Sequence, residues 1–333
     1  MDLLSRLLTL MPVTGRLDVR CHFGAPWRID EPPAGEREIA YHVLLRGEAL
    51  VEYEGKPPLR MRAGDIVLFP SGGAHALHDG SGRKPTKATR EVNGPLQIVT
   101  NRGRGEAADV LCGRFLVPAM PQQLLRDHLP GMLLVHSVRL DGNSDALEDD
   151  ADAVQAEEAR IEASRLARLI ALMREEALEQ GAGSDTLVNH LSGALFALTL
   201  RFASESGEPP RGLLALARQP RLLPALSAMF DEPGKPWTLP DLAELCHMSR
   251  ATFVRHFDEA IGRSASDVLT EIRMSIAGRR LAQTRTPIAE IGEAVGYLSD
   301  AAFQRAFKKQ VGMTPAQWRA QARADFLATG NDD

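Results

Sequence analysis

Residues Thr238–Leu269, TLPDLAELCHMSRATFVRHFDEAIGRSASDVL, and Pro287–Arg319, PIAEIGEAVGYLSDAAFQRAFKKQVGMTPAQWR, carry one pattern twice. Ser249, Phe253, Arg255, Phe257 and Gly262 recur 50 residues on as Ser299, Phe303, Arg305, Phe307 and Gly312. Leu242–Ala243 and Leu245–Cys246 recur 49 residues on as Ile291–Gly292 and Ala294–Val295, so the second turn holds one extra residue, around Tyr297. Self-similarity of this kind marks one supersecondary unit used twice. Each copy predicts two helices across a tight turn, the second opening at a serine whose hydroxyl accepts a backbone N–H. Its phenylalanines, four apart, share one face and anchor it in a core. The other face carries Arg250, Arg255 and His256 in the first copy and Gln304, Arg305 and Lys308 in the second. A helix with one apolar and one cationic or amide-bearing face suits a DNA major groove. The spacer Ser266–Thr284 has helical apolar spacing through Val268, Leu269, Ile272, Ile276 and Leu281. As a helix it would be roughly 28 Å long, close to the roughly 34 Å between successive major-groove faces on one side of a duplex.

The paired copies, their separation and the closing Gly312-x-Thr314-Pro315-x-x-x-Arg319 resemble the DNA-binding domain of AraC/XylS-family transcription regulators. The resemblance implies an all-α double helix-turn-helix domain over 236–326, with double-stranded DNA and RNA polymerase as partners. Carried over position by position, it points to Arg250, Ala251, Val254 and Arg255, then to Asp300, Ala301, Gln304 and Arg305, with Lys308 on the same face. The guanidinium of Arg255 or Arg305 matches guanine O6/N7 or a phosphate. Gln304 suits adenine, while Ala251 and Val254 offer only apolar contact, as with a thymine methyl.

Towards the N-terminus the periodicity changes to that of strands. Leu17, Val19, Cys21 and Phe23 alternate, as do Ile39, Tyr41, Val43 and Leu45, then Ala49, Val51 and Tyr53 after a turn at Gly47. With the apolar run Ile66–Phe69 and frequent Gly/Pro punctuation, this predicts a β-sandwich or small barrel. Gly64, Pro70, Gly72 and His75 fit the second cupin motif, with Asp79 where Asn is usual. His42, Glu48 and Gly55 fit the first, with Leu44 in place of its second histidine. The stretch is therefore similar to the cupin sensors that AraC-type regulators carry. That resemblance implies a metal set of His42, Glu48 and His75, with His78 standing in at the Leu44 vacancy; three ligands and an open position resemble a catalytic centre. Leu44 points instead to a sensor with neither cofactor nor enzymatic activity. The competing reading is a metal-dependent cupin enzyme fused to an autoregulatory DNA-binding domain.

The fold expected is α+β in two domains: a cupin-like sensor over 1–140, a helical linker or dimerisation region over 141–235, and the DNA-binding domain. Residues 80–108 read as a long mobile loop with a short edge strand at Leu96–Thr100; its six Lys/Arg also admit a nucleic-acid-binding loop. Leu166, Leu169, Ile170, Met173 and Ala177 predict one helix, and Leu187, Leu191, Leu195, Leu198 and Phe202 another. A further helix is expected over Gln219–Phe230, with Glu232–Pro236 as linker. The acidic run Asp141–Glu162 reads as solvated surface.

The formal net charge is −5. Residues 236–325 hold twelve Lys/Arg against ten Asp/Glu, so that part is +2 and the rest is −7. Attraction to phosphate must then come from local faces. No apolar run is long enough to span a bilayer, and the start MDLLSRLLTLMPVTG lacks a basic n-region, so a cytoplasmic protein is expected. Three cysteines form no disulfide framework. Cys246 fills a core slot. Cys21, Trp27, His75 and Cys112 together resemble the reactive-chlorine-sensing branch of the same family. This implies an activator switched by oxidation of Cys21 and Cys112, the alternative effector being a small molecule in the cupin cavity. Arg20, His22 and Arg114 are the cationic neighbours expected to favour thiolate.

Overall fold

The structure, a computed structural model, describes residues 3–10, 13–35, 37–93, 96–117, 129–136, 165–176, 181–205 and 219–329. The acidic run Asp141–Glu162 lies outside them. The chain forms two compact units.

The β unit contains β1 (Thr14–Gly24), β2 (Arg28–Glu31), β3 (Glu38–Arg46), β4 (Glu48–Tyr53), β5 (Leu59–Arg62), β6 (Ile66–Phe69), β7 (His75–His78), β8 (Ala88–Asn93), β9 (Leu96–Asn101), β10 (Ala107–Leu116) and β11 (Leu133–Val135). Two helices join them, α2 over 165–176 and α3 (Ser184–Glu205). A seven-stranded sheet in the order β11-β6-β3-β10-β1-β9-β8 lies over a four-stranded sheet in the order β2-β7-β4-β5. Cys21, Phe23, Val110, Cys112, Leu44 and Phe69 from the large sheet meet Val51, Tyr53, Met61 and Leu77 from the small one in a single core. No ladder joins the two sheets among the described residues, so the expected barrel or sandwich is an open sandwich. The expected mobile loop at 80–108 is corrected too. About half of it is the β8–β9 hairpin, and β9 is no edge strand, because it pairs in parallel with β1.

The outer face of the large sheet is covered by α3. Tyr41 stacks on Phe115 at 4.3 Å between ring centroids, and Phe115 packs on Phe196 at 4.9 Å. The buried stripe of α3 is Val188, Ser192, Leu195, Phe196, Thr199, Leu200 and Ala203, while Leu187, expected inside, is 42% exposed. The stripe is rotated because two hydroxyls satisfy themselves within the helix. Ser192 Oγ donates to the Val188 carbonyl at 2.8 Å and Thr199 Oγ1 to that of Leu195 at 2.7 Å. Gly15 admits the approach, since a Cβ there would collide with Ser192. The segment 141–235, expected as one linker region, thus contributes α2 and α3 to the β unit.

The helical unit contains α1 (Leu3–Leu10), α4 (Leu223–Asp231), α5 (Leu239–Leu245), α6 (Arg250–Ile261), α7 (Ala265–Gln283), α8 (Ile288–Ala294), α9 (Asp300–Val311) and α10 (Pro315–Thr329). Helix α1, assigned by sequence to the sensor, belongs here with α4 and α7. Arg6 Nη2 donates to Asp231 Oδ2 at 3.1 Å. The expected linker Glu232–Pro236 is held down as well: Arg273 donates to the carbonyls of Pro233 (2.6 Å) and Lys235 (2.8 Å).

Local chemistry delimits several of these helices. Thr238 and Asp241 form a reciprocal capping box on α5. Ser249, Ser264 and Ser299 cap α6, α7 and α9 through their hydroxyls. Gly262 and Gly312 end α6 and α9 at φ +75° and +83°, the left-handed conformation that glycine adopts without a Cβ clash. In the turns of the two copies, His247 (φ +52°) and Gly296 (φ +92°) occupy equivalent places. The additional residue of the second turn leaves Leu298 fully exposed, while Tyr297 packs on Phe303 at 5.7 Å.

Candidate functional site

The recognition-type helices α6 and α9 bury and expose their residues in the same order over Ala251–Ala260 and Ala301–Gln310. Phe253, Phe257, Phe303 and Phe307 are at most 1% exposed. Arg250, Ala251, Val254 and Arg255 lie exposed on the opposite face of α6, as do Asp300, Ala301, Gln304, Arg305 and Lys308 on α9. The two faces differ in readiness. Gln304 Nε2 donates to Asp300 Oδ2 at 2.7 Å, so it must break that bond to reach a base edge. Among the described residues Arg255 is held only by a distant Glu259, at 4.0 Å one turn on. The spacer is α7, 19 residues long and capped by Ser264.

One polar group inside the domain had no sequence signal. Glu271, in the middle of α7, is wholly buried. It accepts from Arg263, just beyond the end of α6, and from Gln310 Nε2 near the end of α9 at 3.4 Å. It therefore ties together the ends of both recognition-type helices. Cys246 is buried as expected, and burial pushes its thiol up.

In the β unit, the four candidate metal ligands do not assemble. No group of three or more His, Cys, Asp or Glu is placed to hold a metal ion among the described residues. Strand geometry explains this. His75 and His78 stand three apart on β7, so they face opposite sides of the sheet. His78 accepts from Gly80 N at 3.0 Å and lies 3.2 Å from Glu52. Glu48 is on the small sheet and turns out towards Arg60, 3.4 Å away. Leu44 is wholly buried in the sandwich core.

His42 and His75 do meet, with 2.7 Å between their Nε2 atoms. His75 Nδ1 is 3.0 Å from the Gly73 carbonyl and donates to it. His75 Nε2 is then the acceptor and His42 Nε2 the donor, leaving the buried His42 Nδ1 lone pair without a partner among the described residues. Phe69 stacks on His75 at 3.5 Å. Burial lowers the pKa of both rings, that of His42 strongly; His75 lowers that of His42 further, while the bond to the Gly73 carbonyl partly offsets the effect on His75. The unfolded chain, with histidines near about 6.5, binds more protons than the folded one. Stability should therefore fall as the pH drops below about 6.5. Urea unfolding between pH 7.5 and 5.5 checks this. His42→Leu/His75→Leu should give a shallower loss than the parent.

The structure brings Cys21 and Cys112 together. In the antiparallel β1–β10 ladder Cys21 pairs with Val110 and Cys112 with Val19, so the cysteines are diagonal neighbours on the inward face. The neighbouring Cys21 thiol, with burial, raises the Cys112 pKa well above that of a free thiol. The expected thiolate-favouring cations do not act on the Cys112 thiol. Arg20 and His22 alternate to the other side of β1, while Arg114, two residues from Cys112, shares its side of β10 but is taken up by carboxylates. Arg20 donates to Asp109 at 2.7 and 3.2 Å, and Arg114 pairs with Asp18 (3.0 Å) and Glu38 (3.1 Å). The charges felt by Cys112 are those of Glu31 and Asp18, which raise its pKa further. Asp18 is an extra residue in β1, where the register shifts between Leu17 and Val19.

Among the described residues no helix is long and apolar enough to cross a membrane. A family model described as cupin matches residues 2–160, and one described as a helix-turn-helix domain matches 242–321. The RCS-specific HTH-type transcriptional activator RclR of Escherichia coli is 27% identical over 97% of this chain and 99% of its own length. A putative AraC-like transcription regulator of Streptomyces lividans is 26% identical over 96% of this chain and 98% of its own. Among solved structures, an AraC-type DNA-binding domain-containing regulator from Chromobacterium violaceum is 31% identical, covering 32% of this chain and 96% of its own, with a TM-score of 0.31. The chain therefore belongs to the AraC family of transcription regulators, with an N-terminal cupin domain and a C-terminal helix-turn-helix DNA-binding domain.

Proposed function

We propose that this regulator acts in the cytoplasm as a transcription activator, reads promoter DNA with α6 and α9, and is switched through its cupin domain by an oxidant. The observation that carries the reading of DNA is the repeated outward face, Arg250, Ala251, Val254 and Arg255 in one copy and Asp300, Ala301, Gln304, Arg305 and Lys308 in the other. Arg255→Ala and Arg305→Ala should each weaken specific binding by about 1–3 kcal/mol. Fluorescence anisotropy on promoter and scrambled duplexes checks this; equal loss on both would make the two arginines phosphate contacts. RNA polymerase is the proposed partner at the promoter, and a homodimer the proposed assembly.

The contact between Cys21 and Cys112 supports the switch. One thiolate attacks the chlorine of hypochlorous acid, giving a sulfenyl chloride and hydroxide. The second sulfur then attacks the first, chloride leaves, and its proton goes to hydroxide; the cysteines are oxidised and the chlorine is reduced. Diagonal residues in an antiparallel pair stand roughly 7–8 Å apart, beyond the usual reach of a disulfide. Closure must therefore slide β1 against β10, and the irregularity at Asp18 is where that slip can be absorbed. Cys21→Ser and Cys112→Ser should each abolish the hypochlorite-dependent rise in a promoter reporter and the non-reducing shift of the purified protein. If both variants respond in full, the effector is a small molecule in the cupin domain instead.

A further inference from the structure

The β unit carries a concentration of positive charge that neither the recognition helices nor the cysteine pair uses. Residues 80–106 contain Arg83, Lys84, Lys87, Arg90, Arg102 and Arg104 against only Glu91 and Glu106, in a chain whose net charge is −5. All six cations are exposed. None forms an ion pair among the described residues. The carboxylates that feel them are Asp79, near Arg83, and Glu31, near Arg90.

The fold gathers these residues at one end of the sandwich. The β8–β9 ladder ends at Ala88↔Asn101, so Lys87 and Arg102 leave it side by side. Both departing segments are then fastened to the stretch that follows β1. Thr86 N donates to the Pro26 carbonyl at 2.9 Å, and Gly105 N to that of Ala25 at 3.0 Å. Ala25 N in turn donates to Glu106 O at 2.9 Å. Asn101 closes the corner: its Oδ1 accepts from Gly24 N (2.8 Å) and Gly103 N (3.2 Å), and its Nδ2 donates to Gly24 O (2.9 Å). A Cβ at Gly103 would collide with the Gly24 carbonyl, so the two backbones are as close as glycine allows. The cations therefore sit on a hydrogen-bonded platform, where fewer degrees of freedom are lost on binding a charged partner than for a floppy loop.

We infer that this basic end of the cupin domain is a second, sequence-independent contact with duplex DNA, gripping phosphates that flank the site read by α6 and α9. The inference rests on the DNA-reading role of those helices. DNA is the polyanion favoured because the same chain holds it: tethering presents the flanking phosphates at high effective concentration, so a weak charge contact suffices. Each phosphate neutralised steepens the fall of log K with log salt by about 0.9.

The test uses the full chain and two promoter duplexes, one with long flanks and one trimmed to the two major-groove sites. Lys84→Glu/Lys87→Glu/Arg102→Glu/Arg104→Glu should bind the long duplex at least about 10-fold more weakly at 0.15 M salt, with a salt slope smaller by about 2–4. On the trimmed duplex it should match the parent, which also excludes misfolding. Equal affinity and slope on the long duplex would overturn the inference and leave the cations as guards of the edge strand β8 against pairing. A loss confined to RNA or to anionic lipid vesicles would overturn it as well. Failure of the reading role is distinct: the parent itself would then bind neither duplex with sequence preference.

Discussion

Phe303→Ala should unfold the second helix-turn-helix and abolish specific DNA binding. Phe303 is wholly buried and packs on both Tyr297 and Phe307 at 5.7 Å. It also fills the space left by Gly292, where a Cβ would lie 2.8 Å from its ring. Helix α8 and helix α9 therefore pack closely at this side chain, and no long neighbour at Gly292 can collapse into the cavity. Truncation of a buried phenylalanine costs about 3–5 kcal/mol, a large share of a domain's stability. Thermal melting of the 219–329 region in the full chain, followed by the fluorescence of Trp318, which joins the same core cluster, reads the loss directly. Phe303→Leu should recover most of it. A melting temperature unchanged in Phe303→Ala would mean that this core is not what holds α9.

Arg263→Ala should have the next largest effect, and of a different kind. Glu271 is wholly buried, and Arg263 is the cation that compensates its charge from the turn after α6. Breaking a buried pair from one side leaves a desolvated charge and costs about 3–5 kcal/mol; the partial exposure of Arg263 reduces this to about 2–3 kcal/mol. Because Gln310 of α9 meets the same carboxylate, the change should also loosen the spacing between the two recognition helices. Specific affinity should then fall more than non-specific affinity, since only the former needs both helices in register. Arg263→Ala/Glu271→Leu, which removes the charge together with its partner, should restore stability more than DNA specificity. Equal losses on promoter and scrambled DNA would show that the pair supports folding alone.

Much of the helical unit could be read directly. Serine caps, glycine stops and phenylalanines four apart are local signals, and the repeat states them twice, so the helices and their outward faces follow from spacing alone. Strand alternation in β1, β3 and β4 and the apolar run of β6 were legible for the same reason. Local signals carry no information about which segment covers which. The leucines of α3 suggested one buried stripe, yet Ser192 and Thr199 lie inside because their hydroxyls bond within the helix and Gly15 makes room. Helix α1 reads as part of the sensor by position and packs with α4 and α7 instead.

The sites divide along the same line. The outward residues of α6 and α9 belong to continuous helices, so helical period alone places them on one face. The cupin histidines depend on pairing between strands: period-two alternation sends His78 outward, the small sheet carries Glu48 away, and only His42 and His75 meet. Sequence could name Cys21 and Cys112 but not their distance. It also suggested cationic neighbours, of which alternation turns Arg20 away and carboxylates take up Arg114. What the sequence determined by itself was the repeated helix pair with its caps and outward faces and the alternation of β1, β3 and β4, because those depend on a few consecutive residues. Only the tertiary structure decided the cysteine contact, the burial of Glu271 and the gathering of the basic loops. Each of these joins residues far apart in the chain through ladder register and packing, which no local period encodes.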